Sequence, residues 1–423
     1  MSDIKLFKFG GASIQDADAI RNVAAILKNY SGQKIILVVS ALGKTTNALE
    51  KIVTAHVQKT GEARKLLTEL KQQHIDILKQ LIEDTAHPIY NQLENTFVEA
   101  DWVLDDEPVD QYDYIYDQIV SIGELASTRL VSAYLNHAGV KTEWVDVRSV
   151  LLTDNTYREG KVNWEVTEMN INEQILPKLN GQFVLIQGFI GTTTENVTTT
   201  LGREGSDYTA SILAYSLNAE SVTIWKDVPG VLSGDPRYFK DVKKIDALTY
   251  HEAIEMTYFG ATVIHPKTIK PLQNKNIPLY VRSFVKPTEK GTVIIDNLTN
   301  VTYPPILVIK KEQLLVSLSA PDFSFIAEDN MSLIFNLLAK HRIKMNMMQN
   351  AAISFSLCTD DPKERTDAFI KEMKDHFTVR TNGGLDLLTI RHYTDEIVNK
   401  LTEGKEILLE QKTRHTVQLV LRG

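Results

Sequence analysis

The sequence predicts an α/β chain: a buried, mostly parallel sheet with intervening helices, followed by a smaller α+β region. Near-continuous apolar runs alternate with helix-patterned segments up to about residue 285. Strands that are apolar on both faces belong to sheets covered on both sides. Past a stretch rich in Asn and Pro, the order becomes strand, helix, strand, strand, helix, strand, which is the ferredoxin-like arrangement.

The first strand, Lys5 to Phe9, runs into Gly10-Gly11-Ala12-Ser13. The helix expected next carries Ile20, Val23, Leu27 and Tyr30 on one face. Lys34 to Val39 is the second strand, and Phe183 to Ile186 and Val222 to Trp225 are the other strong ones. Val140 to Val147 and Ile277 to Val281 are further strand candidates. Residues 60–84 and 113–137 pattern as long helices. In the first of these, His74 shares an apolar face with Leu67, Leu70, Leu78 and Leu81. With no acidic or histidine partner at metal spacing, it reads as a core-edge residue. The hydroxyl-rich run Thr192 to Thr200 reads as a hairpin or loop, explained by β-propensity and turn chemistry.

Asn297, Asn300, Pro304 and Pro305 mark a linker. Beyond it come a strand at 314–319, a helix at 331–341, strands at 343–349 and 351–358, a helix at 362–377 and a strand at 378–381. A weaker echo follows, with a strand at 385–391, a helix at 394–401 and strands at 406–411 and 416–421. It lacks its last helix and strand. The expected domains are therefore 1–296, 306–383 and a shortened 384–423.

The 423 residues suffice for two or three domains. A net charge of −8 argues against nonspecific nucleic-acid binding. Cys358 is the only cysteine, so an internal disulfide is excluded, and no Cys/His cluster has zinc spacing. Met1 to Lys5 offers no signal-like apolar region, and no run reaches the ~18 apolar residues of a membrane span. These features together lead to the expectation of a cytoplasmic protein.

Several segments carry possible chemistry. A strand, a glycine turn and a helix can hold phosphate, because glycine lets the backbone approach an anion and a helix N-terminus offers free N–H groups. Lys8 would add a full charge beside Gly10 and Gly11; the bland reading is a tight turn with a solvated lysine. Ser40-Ala41-Leu42-Gly43-Lys44-Thr45-Thr46-Asn47 ends the second strand, where ligands of open parallel sheets collect. Ser40 and Thr46 would bond a substrate or cap a helix. Gly202-Arg203-Glu204-Gly205-Ser206-Asp207 is a second glycine turn opening a helix. The fork of Arg203 suits a carboxylate. Asp207 would position a lysine or a magnesium ion, or answer the helix dipole. Glu124 sits on an otherwise apolar helix and would receive an ammonium group or form an internal ion pair. Gly123 beside it suggests close approach by another group, since glycine costs a helix roughly 1 kcal/mol. Trp225-Lys226-Asp227-Val228-Pro229-Gly230 and Asp235-Pro236-Arg237 read as a strand end and a turn. Asp227 would meet a nucleotide and Arg237 its phosphates, or both are ordinary loop residues. His265, before Pro266, reads as structural.

Taken in order, K-F-G-G-x-S from Lys8, S-A-x-G-x-T-T-N from Ser40, G-E-L-x-S from Gly123, G-R-x-G-S-D from Gly202, D-V-P-G-V from Asp227, D-P-R from Asp235 and G-A-x-V-I-H-P from Gly260 resemble aspartate kinases of the amino-acid kinase family. The resemblance spans nearly the whole chain. It implies a three-layer α/β/α fold around a mostly parallel sheet, followed by ferredoxin-like ACT modules that often sense amino acids and pair into a homodimer. It implies transfer of the ATP γ-phosphoryl group, with Mg2+, to the β-carboxylate of L-aspartate. The product, 4-phospho-L-aspartate, leads to lysine, methionine, threonine and isoleucine. By this resemblance Asp207 holds Lys8, Arg203 binds the α-carboxylate, Glu124 the ammonium, and Ser40, Thr46 and Ser206 complete the pocket. Gly10, Gly11, Ser13, Lys226, Asp227, Leu232, Arg237 and Thr262 fall on the ATP side.

The chain departs from the family pattern at several points. Glu204 stands where relatives commonly have glycine, adding negative charge and removing a flexible position. Thr262 replaces a lysine that meets nucleotide phosphates, with Lys226 a possible substitute, and Leu232 replaces an aromatic. Weaker ATP affinity is expected. Asn346 stands where lysine-sensing members place Asp, and Asp329 where they often have glycine, so the feedback effector is open. The alternatives are a family kinase acting on glutamate, acetylglutamate or UMP, and a non-catalytic amino-acid-sensing subunit.

Overall fold

Eight strands, in the spatial order Ala247–Thr249, Thr292–Ile295, Leu279–Ser283, Ser221–Lys226, Ile4–Phe9, Lys34–Val39, Phe183–Gln187 and Thr142–Val145, make the central sheet of the first part of the chain. The structure is a computed structural model and describes residues 2–261, 264–298, 301–322 and 324–423. In chain order the first elements are β1 (Ile4–Phe9), α1 (Ala17–Lys28), β2 (Lys34–Val39), α2 (Thr45–Val57), α3 (Ala63–Leu81), α4 (Ile89–Asp105), α5 (Tyr112–His137) and β3 (Thr142–Val145). Then come α6 (Trp164–Gln174), β4 (Phe183–Gln187), β5 (Ile190–Thr192), β6 (Thr198–Thr200), α7 (Gly205–Ser216), β7 (Ser221–Lys226) and β8 (Val231–Leu232). The set closes with β9 (Lys244–Ile245), β10 (Ala247–Thr249), α8 (Tyr250–Phe259), α9 (Pro266–Asn274), β11 (Leu279–Ser283) and β12 (Thr292–Ile295). The tail holds β13 (Ile306–Ser319), α10 (Glu328–Lys340), β14 (Met345–Asn350), β15 (Ser354–Asp360), α11 (Lys363–Met373), β16 (Thr378–Arg391), α12 (Asp395–Thr402), β17 (Glu406–Lys412) and β18 (Thr416–Arg422).

The chain divides into two compact units. The first holds Met1–Val231, Asp246–Ile254 and Val263–Thr299; the second holds Leu232–Ile245, Glu255–Thr262 and Asn300–Gly423.

In the first unit β1 pairs in parallel with β2 and β7, β2 with β4, β4 with β3, and β7 with β11. Within the eight-stranded sheet, among the described residues, β11 and β12 form the one antiparallel pair. Ile35 to Val39 and Leu185 to Ile186 are buried, as strands covered on both faces must be. The parallel register brings Phe9, Val39 and Trp225 to one edge of the sheet. Trp225 fixes that edge: it stacks on Phe9 with ring centroids 5.8 Å apart, and the Arg282 guanidinium lies 5.0 Å from its ring. The hydroxyl-rich run forms the hairpin β5–β6. Helix α4 was not expected; its apolar stripe of Leu93, Phe97, Ala100 and Leu104 follows Pro88 and is diluted by intervening polar residues. Tyr30 lies two residues past α1, against Phe7, rather than on the helix. His74 is buried, its Nδ1 donating to Leu70 O at 2.9 Å, as a core histidine.

The second unit has one six-stranded sheet, ordered β14-β15-β13-β16-β18-β17, with every pairing antiparallel. The boundary expected at 383/384 falls inside β16, which runs unbroken from Thr378 to Arg391. Its first part pairs with Gln313–Ser319 of β13, and its second part with Ile306–Lys310. The strand missing from the weaker echo is thus supplied by the start of β13. Glu312 at φ 54° and Gly384 at φ 65° mark the register shift. Among the described residues, three buried clusters occupy this unit. One gathers Val316, Leu318, Ile334, Phe355, Leu357 and Phe369. A second gathers Phe239, Leu388, Ile390, Val417 and Leu419. A third gathers Leu315, Met347, Cys358, Leu385 and Val420. Cys358 is buried, and burial pushes its thiol up to about 12, so it is an inert core residue. Among the described residues no helix is long and apolar enough to cross a membrane.

Candidate active site

Lys8 projects from the carboxyl end of β1 and meets Asp207, in the first turn of α7, with Nζ 2.6 Å from Oδ1. Their side chains are only 12% and 4% exposed, so each charge depends on the other for compensation. Gly10 lies directly beside the ammonium: a Cβ there would stand 3.3 Å from Nζ. At Gly11 a Cβ would be 2.7 Å from Gly43 O and 2.9 Å from Ala41 O. Those atoms are backbone, so glycine is required for the first loop to lie on the second. Gly43 N–H seals the contact by donating to Gly11 O at 3.2 Å.

The helix expected to offer its N-terminus here does not. Gly11–Ile14 forms a single 3-10 turn, and α1 starts only at Ala17, where Asp16 caps it by accepting from Ala19 N–H. A capping carboxylate satisfies the free donor an anion would otherwise use. The donors beside Lys8 are therefore those of the short turn. Ser13 is buried and its hydroxyl donates to Gly10 O at 2.7 Å, which holds that turn closed.

The second loop packs against α5. Ser40 N–H donates to Phe9 O, and Ser127 Oγ donates to Ser40 O at 2.8 Å. Thr46 stands half-buried in the first turn of α2, whose cap position is Lys44, so it is not the cap. Gly123 allows this approach: a Cβ would be 2.9 Å from both Leu49 Cδ1 and Thr45 Cγ2.

Glu124 is 3% exposed. Burial pushes its carboxyl up to about 8, opposed by a hydrogen bond from Ala41 N–H and by the charge of Lys8. Its Oε2 is buried without a hydrogen-bond partner. No salt bridge holds Glu124 among the described residues, although the charge of Lys8 reaches it.

The second glycine turn leads from β6 into α7. Gly202 takes φ 76° and Glu204 φ 54°, both left-handed. For a non-glycine residue that region costs roughly 1–2 kcal/mol. The Glu204 carboxylate accepts from His265 N–H at 2.8 Å. Its charge is therefore engaged at the start of α9 rather than standing free over the first loop. Ser206 is buried against Gly188, where any Cβ would collide with it. Arg203 is exposed on the same turn. His265 caps α9, its Nδ1 accepting from Lys267 N–H at 3.1 Å.

The structure thus brings Lys8, Gly10, Gly11, Ser40, Thr46, Glu124, Ser206 and Asp207 to one set of loops. Lys226 is half-buried at the end of β7 on that edge, and Asp227 follows it, exposed. Leu232 and Arg237 belong to the second unit, where Arg237 Nε donates to both oxygens of Asp235 at 3.0 Å. Thr262 lies outside the described residues.

Some supporting residues went unread. Ser127 bridges to Ser40. Phe189 takes φ 72° after Gly188, and its N–H donates to Thr209 Oγ1. Asp117 is buried on α5 and raised to about 6 by burial; it accepts from the N–H groups of Thr200 and Arg158 and from the Thr200 hydroxyl. Q-G-F at the carboxyl end of β4 was the available signal for Phe189. Asp117 looks in sequence like any helix acid.

Residues 3–283 match the amino acid kinase family. The chain belongs to that family. Within it, the chain is 34% identical over 424 residues to lysine-sensitive aspartokinase 3 of Escherichia coli K12, covering 96% of this chain and 90% of that one. The E. coli aspartokinase III structure in complex with lysine and aspartate aligns with a TM-score of 0.84 at 29% identity, over 99% of this chain and 96% of that one. The same enzyme with aspartate and ADP aligns at 0.83 with the same identity and coverage. The loops described here lie at the carboxyl ends of a parallel sheet, where open α/β sheets bind their ligands.

Proposed function

We infer that this amino acid kinase is an aspartate kinase: it transfers the γ-phosphoryl group of ATP to the β-carboxylate of L-aspartate, giving 4-phospho-L-aspartate and ADP. The observation that carries this reading is the buried Lys8–Asp207 pair facing Glu124, whose carboxylate has a buried oxygen without a partner.

The nucleophile is a carboxylate, with an ordinary pKa near ~4, already ionised at neutral pH. No base is needed to activate it. Its oxygen forms the new bond to phosphorus as the bond from phosphorus to the ADP oxygen breaks. The obstacle is repulsion between anions, and positioning plus charge compensation remove it. Lys8 meets the charge developing on the transferring oxygens. Asp207 orients Lys8, and the amides at Gly10 and Gly11 allow close approach. Arg203 takes the substrate α-carboxylate with its planar fork. Glu124, once ionised, takes the α-ammonium. Ser40, Thr46 and Ser206 line the remaining side, and Lys226 and Asp227 stand on the nucleotide side.

Among the described residues no group of three or more His, Cys, Asp or Glu is placed to hold a metal ion. Mg2+ would therefore come with the nucleotide, held by phosphate oxygens and water as it commonly is.

A free ammonium on the acceptor gives Glu124 its role, which favours an α-amino acid over acetylglutamate or UMP. The second unit, with its ferredoxin-like halves, is suited to effector binding and to pairing two copies into a dimer. The test is acyl-phosphate trapping by hydroxylamine, with ATP, Mg2+ and a panel of L-aspartate, L-glutamate, acetylglutamate and UMP. Hydroxamate with L-aspartate alone supports the reading. No hydroxamate with any acceptor removes it.

A further inference from the structure

We propose that Glu204 is a positioning residue: its bond to His265 holds the turn carrying Arg203 and Ser206 in the shape that seats the acceptor amino acid. The proposal rests on the assignment of that turn to the acceptor given above.

The turn is awkward for a side-chain-bearing residue. Glu204 occupies the left-handed region at φ 54°, between Gly202 at φ 76° and Gly205, which opens α7. Glycine would enter this conformation freely, whereas glutamate needs something to hold it there. The bond to His265 does so. Glu204 Oε2 accepts from His265 N–H at 2.8 Å, across 61 residues of sequence. His265 is itself fixed, since it caps α9 through Nδ1 and precedes the helix-starting Pro266. Helix α9 in turn packs on α7. The carboxylate stands at a helix N-terminus, where negative charge is favoured.

The turn's neighbours leave it little other freedom. A Cβ at Gly202 would meet Arg158 O at 2.9 Å, and Gly205 N–H donates to Gly202 O at 3.0 Å. Arg203 precedes Glu204 and Ser206 follows it by two, so the direction of both side chains depends on the backbone at 204. A tie at this residue therefore sets where the guanidinium points without touching the substrate. Glutamate here exchanges the freedom of glycine for a fixed strut.

The test compares native protein with Glu204→Ala, Glu204→Gly and Glu204→Gln. Steady-state KM for L-aspartate and for ATP is measured with kcat, together with amide hydrogen exchange at residues 264–268. Glu204→Ala keeps the backbone demand and loses the bond: KM for aspartate should rise about tenfold, with KM for ATP within about twofold. Exchange at His265 should quicken. Glu204→Gly relieves the demand but also loses the bond, so its aspartate KM should fall between native and alanine. Glu204→Gln keeps an acceptor oxygen and should restore the aspartate KM to within about twofold of native. The proposal is overturned if alanine leaves the aspartate KM and His265 exchange unchanged, or if glutamine fails as badly as alanine. A native protein that phosphorylates no amino acid would instead defeat the functional reading, and the exchange data would still report on the strut.

Discussion

Glu124 is the residue whose chemistry depends most on its surroundings. Burial raises its carboxyl to about 8, so near neutrality the folded protein holds a proton that the unfolded chain has released. The stabilising contribution is fully present below the ordinary value of 4.5 and is lost as pH rises toward about 8. Stability should decline across that window by up to ~1.4 kcal/mol per pH unit and level off above it. Glu124→Gln should remove the decline, as followed by denaturant unfolding at a series of pH values. Substrate binding has the opposite sign. The ammonium needs the ionised form, so aspartate binding expels a proton below pH 8. KM for aspartate should fall by up to tenfold per unit as pH rises to about 8, then flatten. The same substitution should raise that KM and abolish its pH dependence. A native KM that is level from pH 6 to 8 would contradict the assigned role.

At the same scale, Asn346 is tied into the sheet of the second unit. Its side chain accepts from Lys310 Nζ at 2.7 Å and donates to Gln313 Oε1 and Asp360 Oδ1. The amide is consumed within the sheet, with Asp360 held below the usual carboxylate range by those neighbours although burial opposes it. An aspartate at 346 would present a charge that this arrangement does not.

Among the elements, the first two loops act as one piece because Gly11 lets backbone touch backbone. Gly11→Ala would place a methyl 2.7 Å from Gly43 O, and a carbonyl in a loop pinned by α5 cannot step aside as a side-chain tip can. The loops must part, which should cost about 1–3 kcal/mol of stability. Turnover should drop by at least ~100-fold, because a shift of about 1 Å at reacting groups costs that much. Thermal unfolding and the hydroxamate assay on the same preparation check both, and near-native turnover would show the contact to be incidental. Strand-level sequence reasoning worked well here. Apolar runs such as Ile35 to Val39 have no other home than a covered sheet. It failed at helix starts. K-F-G-G followed by an apolar stripe reads as a loop feeding a helix, but nothing local says that four residues and an Asp16 cap intervene. It also failed for Glu204, since no pattern in G-R-E-G announces a partner at His265. A hydrogen bond between residues far apart in sequence leaves no periodic trace.

For the whole molecule, the division into two units has a thermodynamic consequence. Each has its own sheet and its own core, and domains so built unfold with some independence. Calorimetry should show two transitions, of which ADP raises the one belonging to the first unit by an amount set by its concentration over its dissociation constant. A single transition that ADP shifts as a whole would show the units to be one cooperative body. The extent of the second unit was only partly legible. Its strand order was readable from alternation, yet β13 and β16 each serve both halves, and long strands passing through a register shift read as separate short ones. The placement of residues 232–245 and 255–262 with that unit comes from tertiary packing, including Phe239 in its core, which no local pattern reveals.

The central claim is that Lys8, held by Asp207, offsets the repulsion between carboxylate and triphosphate during transfer. Its most direct test is the single-turnover rate of γ-phosphoryl transfer to L-aspartate by Lys8→Ala, at saturating ATP and aspartate, with thermal unfolding confirming a folded protein. A fall of ~100-fold or more in that rate, with aspartate affinity little changed, is the predicted result. A rate within a few-fold of native would contradict it.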